Sequence, residues 1–192
     1  MKFTNCSPFE DVLLIEPKVF GDARGFFMET YQAEHFAQVG IGAHFVQDNH
    51  SGSPQGILRG LHYQIKQTQG KLVRVIAGEV YDVVVDLRKY SPSFGRWAGM
   101  SLSAENKLQL WVPPGFAHGF LVTSPWAEVI YKVTDLYAPE WERSLLWSDP
   151  QLGIEWPLLA GQEPQLSDKD RQGVLFKDTP VFEESNNLVD GG

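Results

Sequence analysis

Two runs rich in β-branched residues, Lys71-Leu72-Val73-Arg74-Val75-Ile76 and Glu79-Val80-Tyr81-Asp82-Val83-Val84-Val85-Asp86, are parted only by Ala77-Gly78. Branching at Cβ stiffens a side chain against the preceding helical turn, whereas the same side chain packs well on a pleated sheet. Both runs are therefore expected to be strands. Further candidates are Leu108–Val112, Gly119–Thr123 and Glu128–Val133. The glycines and prolines between them recur at the short spacing of an all-β sandwich or barrel. The expected fold is mainly β, an antiparallel jelly-roll barrel with a few short helices. One helix is expected over Glu29–Val39, with Tyr31 and Phe36 on a common side and Gly40 as its stop. Asp168–Gln172 is expected to form another turn or two.

With 192 residues, 43% hydrophobic and 21% charged, the chain has the size and composition of one soluble globular domain. No linker interrupts Asp11–Leu159, so residues 1–182 are expected to form a single domain. Residues 183–192 are polar and glycine-ended, and are expected to be a mobile tail. The net charge of −8 argues against wrapping a nucleic acid, which requires a cationic surface. A small phosphorylated ligand needs only a few local Arg and Lys and stays open. No segment is apolar enough to span a membrane, and the start, Met1-Lys2-Phe3-Thr4-Asn5-Cys6, lacks the apolar core of a signal peptide. Cys6 is the single cysteine, so no intramolecular disulfide forms and a Cys-based metal cluster is disfavoured. A cytoplasmic protein is the expectation.

Polar groups crowd into strand-like segments. Between Val46 and Gln64 stand Gln47, Asp48, Asn49, His50, Arg59, His62 and Gln64, interleaved with glycines. Regular alternation would put Arg59 and Leu61 on one face and Gly60 and His62 on the other. Lys71, Arg74, His118 and Tyr131 lie in or beside other strands, and a small barrel gathers inward-facing groups at its mouth. Plainer readings stand beside this one. A histidine such as His62 is as often a hydrogen-bonded structural residue, Tyr131 a packed aromatic, and Lys71 a solvated charge. His35, His44 and His50 are read as structural or surface residues.

Two segments resemble cupin barrel motifs: Gly56 with His62 after five intervening residues, and Pro113-Pro114-Gly115-Phe116-Ala117-His118. In that comparison the next ligand histidine would fall at Gln64, and the glutamate at Thr68 or Gln69. Only His62 and His118 remain, which is short of a three-ligand site. The likeness supports a cupin-like barrel and speaks against a metal.

Seven blocks in order resemble the dTDP-4-dehydrorhamnose 3,5-epimerase family. They are Phe20-Gly21-Asp22-Ala23-Arg24-Gly25-Phe26-Phe27-Met28-Glu29, Phe45-Val46-Gln47-Asp48-Asn49-His50-Ser51, Leu58-Arg59-Gly60-Leu61-His62-Tyr63-Gln64, Gln69-Gly70-Lys71-Leu72-Val73-Arg74, Gly78-Glu79-Val80-Tyr81-Asp82-Val83, Trp111-Val112-Pro113 with Gly115-Phe116-Ala117-His118-Gly119-Phe120, and Leu166-Ser167-Asp168-Lys169-Asp170. The resemblance implies epimerisation of a dTDP-linked 4-keto-6-deoxyhexose at C3 and C5, in dTDP-L-rhamnose biosynthesis. The C4 ketone acidifies the hydrogens on both carbons, so a base removes each one and an acid on the opposite ring face returns it. No nicotinamide, flavin or metal is required, and no cofactor is expected.

The resemblance implies His62 as general base with Asp170 as its partner, Tyr131 as general acid, and Lys71 as the cation stabilising the enolate. It implies substrate-binding roles for Arg24, Glu29, Gln47, Asn49, Arg59, His118, Glu142 and Lys169. Arg24 and Arg59 suit a diphosphate, since guanidinium groups make paired hydrogen bonds to phosphate oxygens. Phe20, Phe26 and Tyr137 are the candidate platforms for thymine. Glu140, Glu142 and Arg143 compete for one assignment, and Glu142 is the expected holder. Asp170 is preferred to Asp168 because it closes the Ser-x-Lys-Asp pattern. The resemblance also implies a homodimer in which Arg24 and Glu29 act across subunits. The competing readings are an epimerase or isomerase acting on one carbon or on a related nucleotide sugar, and a catalytically silent sugar-binding cupin.

Overall fold

The computed structural model describes residues 1–42, 44–159 and 161–184. In chain order the elements are β1 (Lys2–Asn5), β2 (Leu13–Glu16), β3 (Val19–Asp22), β4 (Gly25–Met28), α1 (Ala33–Ala37), β5 (Gln47–Pro54), β6 (Leu58–Gln64), β7 (Lys71–Ala77), β8 (Glu79–Asp86), β9 (Trp97–Ser103), β10 (Gln109–Val112), β11 (Phe116–Val122), β12 (Trp126–Val133), β13 (Glu142–Ser144) and α2 (Asp168–Arg171). A six-stranded sheet, β1-β2-β10-β7-β12-β5, faces a five-stranded one, β13-β6-β11-β8-β9, and β3-β4 form a separate hairpin. Neighbouring strands pair antiparallel throughout. This is the jelly-roll architecture expected from the sequence. No helix among the described residues is long and apolar enough to cross a membrane.

Alternation along the strands builds three apolar clusters. Val73, Val75, Leu110 and Val129 of the first sheet meet Val80, Val84, Leu102, Phe116 and Phe120 of the second between the layers. The outer face of the second sheet, with Leu61, Tyr63, Val83 and Val85, is covered by Leu145, Leu152, Phe176 and Phe182 from the C-terminal stretch. On the outer face of the first sheet, Leu13, Ile15, Leu72 and Trp111 pack with Phe36 and Ile41.

The first helix is shorter than expected. Thr30 carbonyl accepts from Gln109 Nε2 at 2.9 Å, which pins the entry segment beside β10, and the Gln32 side chain caps the backbone N–H of His35 at 2.7 Å. Helix therefore begins only at Ala33. Tyr31 and Phe36 do meet, edge to face at 4.9 Å. Beyond the helix end Gly40 takes φ +84°, as expected of its stop. The expected mobile tail falls largely on residues 185–192, which lie outside the described residues. Glu183, where that tail was expected to begin, accepts from Lys89 Nζ at 3.0 Å.

The regular alternation expected for β6 is overturned. His62 stands opposite His118 and Arg59 opposite Phe120, so β6 takes one residue more than β11 over the same stretch. The additional residue turns Arg59 and His62 toward one cleft and leaves Leu61 buried on the opposite face. Gly60 carries the irregularity at φ +131°, and a Cβ there would lie 2.5 Å from the Gly119 Cα. Gly60→Ala is therefore expected to destabilise the fold by about 2 kcal/mol or more, combining backbone strain with a backbone clash. Urea unfolding measures this directly, and an unchanged midpoint would contradict the close approach.

Candidate active site

Strand register brings the polar groups of the first sheet together. Asn49, Tyr131, Val73 and Leu110 stand opposite one another across β5, β12, β7 and β10, and Gln47, Val133, Lys71 and Val112 form the next row. Residues in register share a face, so Gln47, Asn49, Lys71 and Tyr131 point inward with the core valines. The second sheet answers with Arg59 and His62 from β6 and His118 from β11, and Lys169 and Asp170 enter from α2. Together they line a cleft of about 680 Å³, a size suited to a small-molecule ligand.

His62 Nε2 lies 2.5 Å from Asp170 Oδ1. Asp170 is buried at 3% exposure, which alone would raise its pKa; hydrogen bonds from His62 and Ser167, and the charges of His62 and Lys169, hold it below the usual carboxylate range. The carboxylate is therefore ionised and accepts from Nε2, which leaves Nδ1 as the ring nitrogen outside that bond. A second pair lies beside it. His118 Nε2 donates to both oxygens of Asp82 at 2.9 Å, and both residues are buried.

Lys71 is 8% exposed, so the reading as a solvated charge does not hold. Burial lowers its pKa to about 8, against the opposing pull of Glu142 and Asp82. Its Nζ donates to the His62 carbonyl at 3.2 Å. Burial raises the pKa of the Tyr131 hydroxyl, with Arg59 opposing and Glu142 adding to the shift, so the phenol is protonated at neutral pH. At the cleft wall Glu142 accepts from Lys169 Nζ at 2.7 Å and from the Tyr137 hydroxyl at 2.8 Å. Burial would raise the Glu142 pKa, but these two bonds hold it low.

Other members are fixed by local bonds. Arg59 donates to Ser53 Oγ at 2.9 and 3.0 Å, and Gln47 Nε2 donates to Asn49 Oδ1 at 2.8 Å. Gln64, where the cupin comparison would place a metal ligand, instead clamps backbone: it donates to the Gln67 and Leu136 carbonyls and accepts from Ala138 N–H. Among the described residues no group of three His, Cys, Asp or Glu is placed to hold a metal ion. Of the competing residues near position 142, Glu142 lines the cleft, while Arg143 turns to the Glu140 and Glu142 carbonyls. The Asp168 side chain is 98% exposed.

Four expected binding residues are not brought into this cleft by their own chain. Phe20, Arg24 and Phe26 stand on the β3–β4 hairpin, exposed, around a separate hollow, and Arg24 is held by Asp22. Glu29 follows the hairpin and lies 3.5 Å from His35 Nδ1. Conversely, the structure adds Ser53, Asp82 and Ser167, which sequence reading did not assign. Asp82 had a signal, being a carboxylate in an otherwise apolar strand, and so did Ser167, which stands three residues before Asp170 as a helix cap does.

The chain is similar to known proteins over most of its length. The sequence pattern described as dTDP-4-dehydrorhamnose 3,5-epimerase matches residues 7–178. A dTDP-4-dehydrorhamnose 3,5-epimerase of Pseudomonas aeruginosa is 60% identical over 173 residues, covering 90% of this chain and 94% of the relative. The crystal structure of an epimerase from Legionella pneumophila, solved in complex with dTDP-4-keto-L-rhamnose, superposes with a TM-score of 0.91 at 51% identity and covers 95% of this chain and 98% of its own. A 3'-monoepimerase from Streptomyces bikiniensis, in complex with dTDP-quinovose, gives 0.83 at 34% identity, covering 91% and 88%.

Burial of Lys71 has a consequence for stability. Its folded pKa of about 8 lies below its ordinary 10.5, so the cost of the buried charge is fully present below pH 8. That cost fades as pH rises from 8 toward 10.5, where the unfolded chain still binds the proton that the folded one has lost. Lys71→Met is expected to be more stable than wild type at pH 7, by on the order of 2–3 kcal/mol. Urea melts across pH 7–10 should show the gap closing; a gap independent of pH would contradict the assigned burial cost.

Proposed function

The chain belongs to the dTDP-4-dehydrorhamnose 3,5-epimerase family, and from that premise we propose that it inverts dTDP-4-dehydro-6-deoxy-D-glucose at C3 and C5 to dTDP-4-dehydro-L-rhamnose, in dTDP-L-rhamnose biosynthesis. The observation that carries the reading is the opposition of His62 on the second sheet, paired with Asp170 from α2, to Tyr131 on the first, across one cleft. Epimerisation by enolisation needs a base on one face of the ring and an acid on the other.

In this mechanism His62 Nδ1 takes the hydrogen from C5 or C3, and the C–H electron pair moves into the C4 carbonyl to leave an enolate. Asp170 stabilises the imidazolium that forms. Lys71, its pKa lowered to about 8, remains largely protonated at neutral pH and places an ammonium against the oxyanion. His118, oriented by Asp82, adds a second polar contact on the sugar. Tyr131, kept protonated by burial, delivers a proton to the opposite face, and the ketone re-forms with inverted configuration. After each inversion His62 releases its proton to solvent and Tyr131 regains one from it, so the same pair serves both carbons and no cofactor enters the scheme. Arg59 and Lys169 serve the diphosphate, Gln47, Asn49 and Glu142 the remaining polar groups, and Tyr137 stacks on thymine.

The same proposal includes a homodimer. Phe20, Phe26 and Phe27 are 53%, 62% and 69% exposed on a hairpin outside the three apolar clusters, and Arg24 beside them lies far out in solvent. A second copy covering the hairpin would bury these rings and bring Arg24 and Glu29 to the partner's cleft. A cytoplasmic setting is part of the reading, in keeping with a chain whose single cysteine forms no internal disulfide. A one-carbon epimerase is the runner-up, and the monoepimerase from Streptomyces bikiniensis is a more distant relative than the Pseudomonas aeruginosa enzyme.

Proton NMR of the dTDP-4-keto-6-deoxyglucose substrate in deuterated water tests the double reaction. Deuterium is expected at both C3 and C5; exchange at one carbon would establish the one-carbon enzyme, and no exchange would leave a sugar-binding module. His62→Asn is expected to lower kcat by about 10³-fold or more with the fold intact. Tyr131→Phe is expected to spare exchange at C5 more than inversion, and equal loss of both at each carbon would contradict its role as acid.

A further inference from the structure

We propose that Ser167 is a positioning residue of the proton-transfer site: its hydroxyl fixes the plane of the Asp170 carboxylate and so commits His62 to the tautomer that presents a bare Nδ1. The inference rests on His62 being the base. Ser167 is the N-cap of α2 and, of the side chains that act in proton transfer, touches Asp170 and not the His62 ring.

A serine followed three residues later by a carboxylate is ordinarily a reciprocal cap, in which the carboxylate reaches back to the backbone N–H of the serine. In this chain the carboxylate is directed elsewhere. Asp170 gives Oδ1 to His62 at 2.5 Å, and Oδ2 receives the Ser167 hydroxyl at 2.7 Å. The same Ser167 oxygen accepts from the Asp170 backbone N–H at 3.2 Å. One hydroxyl thus holds Asp170 at both its backbone and its side chain.

That restraint matters because a carboxyl group turns easily about its terminal torsion, whose minima are broad. One bond to an imidazole leaves the plane of the carboxylate undetermined, whereas bonds to both oxygens from fixed donors determine it. α2 spans only Asp168–Arg171 and is too short to hold its own geometry without its cap. The Ser167 bond also contributes to keeping Asp170 ionised, as an acceptor of the Nε2 proton must be.

A role in capping alone separates cleanly from a role in orienting Asp170. Glycine caps nearly as well as serine but has no hydroxyl, and threonine retains both functions. Ser167→Gly is expected to lower kcat about tenfold with KM within about twofold, as loss of an outer hydrogen bond that orients a reacting group does. Nitrogen-15 NMR of labelled histidine should show His62 as the Nε2–H tautomer in the wild type and as a tautomer mixture in Ser167→Gly, with Ser167→Thr restoring both kcat and the wild-type spectrum. Wild-type kcat and an unchanged tautomer in Ser167→Gly would overturn the proposal, as would an equal loss in Ser167→Thr. His62→Asn, assayed alongside, separates the two failures. Turnover surviving in that variant overturns the base assignment itself, whereas an inactive His62→Asn beside an unaffected Ser167→Gly overturns only the role of Ser167.

Discussion

The passage of Gly60 against Gly119 sets the arrangement of the cleft. Side chains alternate along a strand, so a slip of one residue sends every group to the wrong face. In β6 one additional residue, accommodated at a glycine with φ +131°, lets Arg59 and His62 share a face although three positions separate them. Without it, a residue that lines the cleft would be exchanged for Leu61, which is fully buried beneath the C-terminal stretch. The local irregularity thus aligns the second sheet with the regular rows of the first, in which Asn49, Tyr131 and Val73 stand in line.

A chain with net charge −8 nevertheless assembles Arg59, Lys71, Lys169 and Arg171 around one cleft. Each of these cations has an anionic or polar group close by. Lys169 binds Glu142, and Glu142 and Asp82 partly offset the burial of Lys71. Such an arrangement suits an anionic ligand without making the surface as a whole attractive to nucleic acid. Burial acts in opposite directions on two of the members: it eases the proton off Lys71 and holds it on Tyr131. A pKa of about 8 still leaves Lys71 an ammonium at neutral pH, the state that the proposed stabilisation of an oxyanion needs, and a protonated Tyr131 is the state that the proposed acid needs.

Much of this was legible in the sequence, and what was not has physical causes. Strands such as β8 announced themselves through β-branched residues, and the His62, Lys71, Tyr131 and Asp170 set through family resemblance. The bend in β6 was hidden because alternation is a rule for regular strands, and a glycine does not reveal whether it interrupts one. The early helix was over-extended because the contact that prevents it, Gln109 against the Thr30 carbonyl, joins residues far apart in the chain. β1, β2, β3, β4, β9 and β13 were not foreseen, since short or mixed strands owe their conformation to neighbours more than to their own composition. Asp82 and Ser167 were missed because each acts through another side chain, and only the folded chain shows which.

The central claim is geometric: His62 and Tyr131 come from opposite sheets, which would set the proposed base and the proposed acid on opposite faces of a sugar bound between them. A crystal structure with a non-reacting dTDP-hexose that lacks the C4 ketone tests it directly. The account predicts the sugar ring lying between the sheets, with His62 Nδ1 nearest C3 and C5 on one face and the Tyr131 hydroxyl on the other. A ring bound with both groups on the same face, or with either directed away from C3 and C5, would contradict it.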